Sequence, residues 1–284
     1  MLTYNLILFI INFLFIQPTT NHYTHMQLPK TTTKQQDILK LLYRYRFVDR
    51  IQMQALMGHK DKRRIGAWLK DLREKQYIEW IYSTDFAEKT KPAIYYLGIN
   101  GIRLLRTLEL YPTEELRKRY RESSRQPDFI ARCLLIADCG VSLEAKTTNK
   151  VQYSFVTAAD YTDADNDYYL LTELQPQLCF VKQSPRAKAS YLLEVFDPTT
   201  PRYKVKKRLK DYVTYLASGD WERATDDDEP PVILIACSTV AELIYAKRRT
   251  RKLLEDEGQE LQLRFATTEQ VKREGVTGII WEDV

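Results

Sequence analysis

The segment from Gly58 to Tyr77 constrains the fold more than any other, because it has the pattern of a short turn followed by a basic amphipathic helix. Asp61 is a suitable N-cap, since its carboxylate can accept hydrogen bonds from the unpaired amides of the first turn. Apolar residues then recur at helical spacing at Ile65, Leu69 and Leu72, which predicts one buried face. The segment is therefore expected to bury one side in a small core and to present basic side chains on the others.

Two shorter helix patterns precede this segment, and each begins with residues at the spacing of a capping box. Thr33 and Gln36 mark the first start, and Asp49 and Gln52 mark the second. The link between the second and third helices, Gly58-His59-Lys60, is as short as a helix-turn-helix requires.

Two strand patterns follow the third helix. Residues 78–82 and 93–97 are rich in aromatic and β-branched side chains, and residues 83–92 would form a charged loop between them. Three helices, a strand, a loop and a second strand are the element order of a winged helix. We therefore predict a winged helix-turn-helix domain over residues 31–111, closed by a fourth helix over residues 100–111.

Positive charge is concentrated in the same half of the chain. Residues 26–125 hold 22 Lys and Arg against 12 Asp and Glu, whereas residues 126–284 hold 21 against 26. A basic domain attracts phosphate through counterion release, so double-stranded DNA is the expected partner, although a basic helix face is often only a solvated surface. Trp68, three residues after Ile65, is expected to pack in the core. The candidate DNA-binding residues are Lys60, Lys62, Arg63, Arg64, Lys70, Arg73, Lys89 and Lys91.

The composition argues against several function classes. No phosphate-loop or dinucleotide-binding fingerprint is present, and the four cysteines form no Cys-x-x-Cys pair. The histidines are His22, His25 and His59, too few for histidine-based catalysis or a histidine-rich metal site to be expected. We expect a cytoplasmic protein whose cysteines are buried and reduced.

The first 30 residues differ from the rest of the sequence. Residues 6–16 are almost wholly apolar, but Asn12 interrupts the run, which is shorter than the roughly 20 residues of a spanning helix. The run also lacks the positively charged start of a signal peptide. Met26 begins a polar sequence that leads directly into the first helix. An over-extended start or a disordered tail over residues 1–30 is therefore favoured over a membrane anchor.

A charged segment over residues 112–126 is expected to link the winged helix to a second domain over residues 127–284. The second domain has the pattern of a mixed α/β layer structure. Its predicted elements are a helix over residues 129–146, strands near residues 151–158, 177–181 and 191–196, a basic helix over residues 203–216, a buried strand over residues 232–236, a helix over residues 239–257 and a strand over residues 261–265.

Taken in order, these features resemble a known family. The winged-helix pattern is followed by Leu174-Gln175-Pro176-Gln177, then by the segment Leu193–Asp197, and then by Lys207, Leu209 and Tyr212 in a helix. Over residues 33–266 this order resembles the plasmid replication-relaxation proteins. The resemblance implies a bacterial protein needed for plasmid replication and DNA relaxation. The fold class that it implies is mixed α/β, with an N-terminal winged helix-turn-helix and a C-terminal α/β domain resembling a PD-(D/E)xK nuclease core.

Nucleases of that type bind divalent cations on paired acids and use a nearby lysine. Here the position of the first acid is Gln177, and Phe196 stands where the lysine would follow the second acid, Glu194. The nuclease core is therefore expected to be degenerate, and Glu194 is equally explained as the end of a buried strand. The candidate catalytic set is Glu144, Glu194, Asp197 and Lys207. Glu194 and Asp197 are the candidate metal ligands, and Mg²⁺ is expected as a cofactor only if the nuclease interpretation holds.

The basic helix over residues 203–216 has two interpretations. Its cations could follow a DNA backbone, or they could form a solvated face. They are Lys204, Lys206, Lys207, Arg208 and Lys210.

The leading hypothesis is a non-enzymatic protein that binds duplex DNA through its winged helix and acts in plasmid or mobile-element replication, DNA relaxation or transcriptional control. The alternatives are a metal-dependent nuclease or nickase and a membrane-tethered DNA-binding regulator. Plasmid replication or relaxation proteins and a second copy of the chain are candidate partners.

Overall fold

The computed structural model describes residues 28–83, 90–162, 171, 173–225 and 229–284. The apolar N-terminal run, the alternative start Met26 and the candidate DNA contact Lys89 lie outside these residues. The chain divides into two units, Met1–Lys30 and Thr31–Val284, and the second is the compact body described below. In the described ranges no helix combines the length and the apolar character needed to cross a membrane.

The N-terminal part of the compact unit has the helix and strand order predicted for a winged helix. Its strands form an antiparallel sheet in the order β1-β3-β2. The core lies between this sheet and the apolar faces of the helices, where Ile38, Leu42 and Leu69 are almost wholly buried. The elements are α1 (Thr33–Tyr45), β1 (Val48–Asp49), α2 (Arg50–Leu56), α3 (Lys62–Glu74), β2 (Ile78–Ile81), β3 (Ile94–Leu97) and α4 (Ile99–Thr107).

Capping residues set the starts of these helices. Asp61 accepts the Arg63 amide at 2.8 Å, and Asp49 forms a capping box with Gln52, as predicted. The predicted box of Thr33 and Gln36 is wrong by one residue, because Thr32 caps α1 with Gln35. Both pairs combine a threonine with a glutamine three residues later, which is what a capping box requires. Gln35 also donates to the Asp71 carboxylate of α3 at 2.5 Å, a tertiary contact that favours the earlier register.

The segment predicted as a charged linker is folded. It forms α5 (Thr113–Arg119) and a short 3₁₀ turn (Glu122–Ser124) before α6 (Pro127–Lys146) begins. The Glu122 side chain is 1% exposed and is surrounded by Arg46, Arg119 and Arg125. Charge density in a sequence does not distinguish solvated charges from buried, paired ones.

The C-terminal part is a mixed sheet with helices packed on it, which agrees with the predicted α/β class. The strand order is β4-β5-β6-β7-β8-β9, with β6, β7 and β8 parallel and the other pairs antiparallel. The strands are β4 (Gln152–Thr157), β5 (Leu178–Gln183), β6 (Lys188–Phe196), β7 (Val232–Cys237), β8 (Leu263–Thr267) and β9 (Glu282–Asp283). The helices are α7 (Arg202–Ala217), α8 (Asp220–Thr225), α9 (Val240–Glu257) and α10 (Thr268–Glu274).

Both faces of this sheet are buried. Ile233 and Ile235 of β7 belong to the hydrophobic cluster that includes α7, α8 and α9 residues such as Leu209 and Trp221. The intervening Leu234 and Ala236 are buried as well. Because alternate strand residues point to opposite faces, the apolar run of β7 is that of a central parallel strand. Helices α8 and α10 and strand β9 were not predicted.

The N-terminal part, which comprises α1–α4 and β1–β3, packs directly on α6 and on the sheet. Gln52 of α2 donates to the Leu134 carbonyl at 2.9 Å and to the Asp138 carboxylate at 2.6 Å. Arg44 of α1 donates to the Asp160 carboxylate at 2.9 Å and to the Phe155 carbonyl at 2.8 Å. These contacts join the two parts within one compact unit.

Candidate nucleic-acid interface and ion-paired cleft

Helix α3 separates an apolar face from a basic one. Ile65, Leu69 and Leu72 are almost completely buried, as the spacing predicted. The basic residues at and before its first turn point to solvent, and none of them forms an ion pair within the described part of the chain. They are Lys60, Lys62, Arg63 and Arg64.

Two other candidate DNA contacts, Lys70 and Arg73, interact with neighbouring side chains of the protein. Lys70 is exposed and lies 3.8 Å from the exposed Glu74 carboxylate. The Arg73 guanidinium lies 3.8 Å from the centre of the Trp80 ring, a cation–π contact that fixes its position. Lys91 is exposed next to the start of β3.

Trp68 does not pack in the core as expected. It is half-buried, and its ring meets His59 edge-on with 5.2 Å between ring centres. At about 100° per residue, Ile65, Leu69 and Leu72 lie within an arc of about 60°, and Trp68 lies about 40° beyond the edge of that arc, at the margin of the apolar face. Trp68 therefore steadies the turn between α2 and α3.

The sequence patterns did not predict the exposed aromatic pair at the end of β2, where Tyr82 directly follows the strand. The rings of Trp80 and Tyr82 stack with 5.2 Å between centres, and each residue is about two fifths exposed. Both were interpreted as ordinary strand residues, since aromatic side chains favour strands whether they face the core or solvent.

A second polar site lies between the end of β6 and the start of α7. It is a cleft of about 510 Å³, and its lining includes Gln177, Glu194, Asp197 and Lys207. The antiparallel register Leu178↔Leu193 places Gln177 beside Glu194. Three of the four candidate catalytic residues are thus brought together. Arg132, Lys204 and Arg208 line the same cleft.

Glu194 is held by an arginine and a tyrosine. Its Oε2 atom accepts hydrogen bonds from Arg208 Nε at 2.9 Å and from the Tyr212 hydroxyl at 2.8 Å. The Gln177 amide lies 3.4 Å from Oε1. Burial, followed by the Glu194 charge, raises the pKa of Tyr212 well above its ordinary value. The tyrosine therefore keeps its proton and remains a donor.

Asp197 is equally engaged. Its Oδ2 atom pairs with Arg132 Nη1 at 2.7 Å, and Oδ1 accepts from the Thr199 and Thr200 hydroxyls at 2.8 and 2.9 Å. Partial burial acts to raise the pKa of Asp197, but the two threonines and Arg132 outweigh it, so the pKa lies below its ordinary value. Asp197 is therefore an ionised, fully hydrogen-bonded carboxylate.

The remaining nuclease positions are occupied differently. Glu144 does not line the cleft, and its neighbours are Tyr45 and Arg44 of α1; burial raises its pKa, and Arg44 opposes the shift. Phe196 is 4% exposed and joins the hydrophobic core, so a lysine there would be buried. Lys207 enters the cleft from α7 instead.

The donor set of the cleft does not fit a divalent cation. The guanidinium groups of Arg132 and Arg208 each occupy one oxygen of an acid, Asp197 and Glu194 respectively. The position of the first acid in the nuclease pattern carries the neutral amide of Gln177 instead. A divalent cation requires carboxylate oxygens that are free to coordinate it. Among the described residues, no group of three His, Cys, Asp or Glu side chains could hold a metal ion.

These features define a mixed α/β protein that contains a module of winged-helix order and carries an ion-paired polar cleft. The chain belongs to the replication-relaxation family, whose profile matches residues 39–227, two thirds of the sequence. That membership suggests a role in the replication or relaxation of a plasmid or mobile element. No curated protein sequence matches the chain significantly.

A solved structure with partial similarity is that of the restriction endonuclease FokI. Its sequence identity to this chain is 8% and the TM-score is 0.30. The alignment covers 88% of this chain and 45% of the FokI chain, so this chain spans less than half the length of that enzyme.

Proposed function

We propose that this protein binds duplex DNA through α3 during replication or relaxation of a plasmid or mobile element. The observation that carries the proposal is the unpaired basic surface at and before the start of α3, outside its buried apolar face. Arginine and lysine side chains on an exposed helix suit both phosphate and guanine recognition in the major groove. The excess of positive charge over residues 26–125 supports the same partner.

The residues of this surface have different roles in the proposal. Arg63 and Arg64 lie in the first turn of α3 and reach into the groove, where bidentate contacts to guanine are available. Lys60 and Lys62 contact the flanking phosphates. Lys91, beyond β2, approaches the backbone from the second side, as a wing does.

The double substitution Arg63→Ala/Arg64→Ala tests the assignment. If both side chains contact guanine, affinity for the target duplex falls by roughly tenfold per contact, and the preference for that sequence weakens. Lys60→Ala/Lys62→Ala should instead decrease the slope of log K against log salt by about 0.9 per lost phosphate contact. Fluorescence anisotropy across a salt series measures both quantities.

The matched control removes the same charge from a distant helix. Arg251 and Lys252 of α9 are both exposed, and Arg251→Ala/Lys252→Ala should leave the salt slope unchanged. Equal losses in the two double variants would mean that the protein attracts DNA by net charge alone, and α3 would not be the recognition helix.

A second candidate function is metal-dependent nicking. One observation favours it, which is that Glu194, Asp197 and Lys207 converge in a single cleft. The ion pairs of the two acids count against it. Incubation of supercoiled plasmid with Mg²⁺ or Mn²⁺ separates the two functions: the DNA-binding proposal expects no nicked product, whereas nicking that Glu194→Gln abolishes would establish the enzyme.

A further inference from the structure

We propose that the cleft between β6 and α7 binds a phosphodiester group of DNA without a divalent cation. Arg132 and Arg208 supply the positive charge that a metal would otherwise bring to the acids, and Lys204 and Lys207 hold the phosphate. The inference rests on the proposed function, because it takes DNA as the partner of the whole protein. It adds a second DNA contact in the C-terminal part of the compact unit, whereas α3 lies in the N-terminal part.

The first step concerns the acids. A pair of unneutralised carboxylates would repel a phosphate, but each acid here has its own guanidinium, at 2.7 Å for Asp197 and 2.8 Å for Glu194. Glu194 is 6% exposed and Asp197 9%, so both acids are nearly covered. A buried ion pair of this kind leaves almost no net negative charge to oppose an incoming anion.

The second step concerns the two lysines. Lys204 and Lys207 both line the cleft and are exposed, and neither forms an ion pair with another described residue. They are three residues apart on α7, so they stand on the same side of the helix. Asp197 and Glu194 are each neutralised by an arginine, and the one other acid among the described lining residues is Asp211. The free charge of the cleft is therefore positive.

The third step concerns the start of α7. Its N-cap is Pro201, which gives no side-chain cap, so the positive end of this 16-residue helix faces the cleft without a competing acceptor from that residue. The hydroxyls of Thr199 and Thr200 are already donated to Asp197. The phosphate would therefore meet lysines and the helix end rather than the threonines.

The fourth step distinguishes a nucleic acid from a free phosphate ion. Tyr203 also lines the cleft and is 67% exposed. Tyrosine is among the side chains that contact the sugar–phosphate backbone of duplex DNA, and a free phosphate ion has no sugar to contact. The cleft, at about 510 Å³, is also larger than a single phosphate ion requires.

The experiment compares two pairs of lysines on one helix. Lys204→Gln/Lys207→Gln removes the two cations that line the cleft, and Lys206→Gln/Lys210→Gln removes two exposed cations of α7 that do not. Duplex affinity is measured by fluorescence anisotropy in EDTA across a salt series. The cleft variant should lose roughly tenfold per lysine near 0.1 M salt, with about 0.9 less salt slope per contact, and the control variant should resemble the parent.

Each other outcome overturns the inference in a recognisable way. Equal losses in both lysine pairs would show general attraction by α7 rather than a cleft site. If parental binding required Mg²⁺, or if Mn²⁺ raised the Tm of the parent but not of Glu194→Gln, the acids would hold a metal. An unchanged cleft variant beside a weakened Arg63→Ala/Arg64→Ala variant would reject the cleft alone. No duplex binding by the parent would reject the proposed function as well.

Discussion

At the scale of single residues, the buried carboxylate of Glu122 is the charge that depends most on its ion-pair partners. Arg46 donates to both of its oxygens, at 2.8 and 3.0 Å, and Arg125 Nε lies at 3.3 Å. Arg119 is 4% exposed, and burial followed by Arg46 lowers its pKa. Arg46 also has a left-handed backbone, with φ of 70°, which is costly for a residue other than glycine. The charge of Glu122 holds these arginines together.

Substitution of Glu122 should therefore be severe. Glu122→Ala leaves Arg119 buried without its counter-charge, and breaking a buried pair in this way costs about 3–5 kcal/mol of unfolding free energy. Glu114→Ala is the control, because Glu114 pairs with Arg117 at an exposed site where a pair contributes about 0–1 kcal/mol. Urea unfolding of both variants measures the difference. Similar small losses would mean that water reaches Arg119 and that the cluster is not stabilising.

At the scale of helices and strands, the sequence predicted those features that residues within the same element determine. The start of α3 follows from Asp61 and its buried face from Ile65 and Leu72, since both signals lie within the helix itself. The pairing of Glu194 with Arg208 was beyond such reasoning. It depends on how β6 packs against α7, and the sequence identified Arg208 only as one cation among several on a basic helix.

The same limit applies to the charged segment that follows α4. Its residues alternate in sign, which is typical of a solvated linker and also of a folded segment with internal ion pairs. Glu122 is buried because Arg46, which lies 76 residues earlier in the chain, reaches it. Contacts over such separations are set by tertiary packing, and no local pattern reports them.

At the scale of the whole molecule, the N-terminal part and the sheet are coupled through α6. Besides the Gln52 and Arg44 contacts, the Tyr45 ring rests on Gly140, where an added Cβ would come within 2.3 Å of the tyrosine hydroxyl oxygen. Tyr45 is 3% exposed, so its ring has little room to move aside. The position of α3 relative to the cleft is thereby fixed, which suits two contacts on one DNA molecule.

This coupling predicts a single unfolding transition. Trp68 and Trp80 lie in the N-terminal part, and Trp221 and Trp281 lie in the C-terminal part. In a Trp68→Phe/Trp80→Phe background, fluorescence reports only on the second part, whereas circular dichroism reports on every helix. The two thermal midpoints should coincide if the unit unfolds as one.

Gly140→Ala should weaken this coupling, because the added methyl group overpacks the contact with Tyr45 at a cost of about 1–3 kcal/mol. The fluorescence and circular dichroism midpoints should then both fall. They should also separate from each other if the contact between Tyr45 and Gly140 couples the two parts. Gly66→Ala on α3 is the matched control. Nothing lies within 4 Å of its added Cβ, so the same substitution should stabilise that helix by about 0.4–1 kcal/mol. Midpoints that already differ in the tryptophan background would show two independent domains, and α3 and the cleft would then have no fixed geometry for a shared DNA.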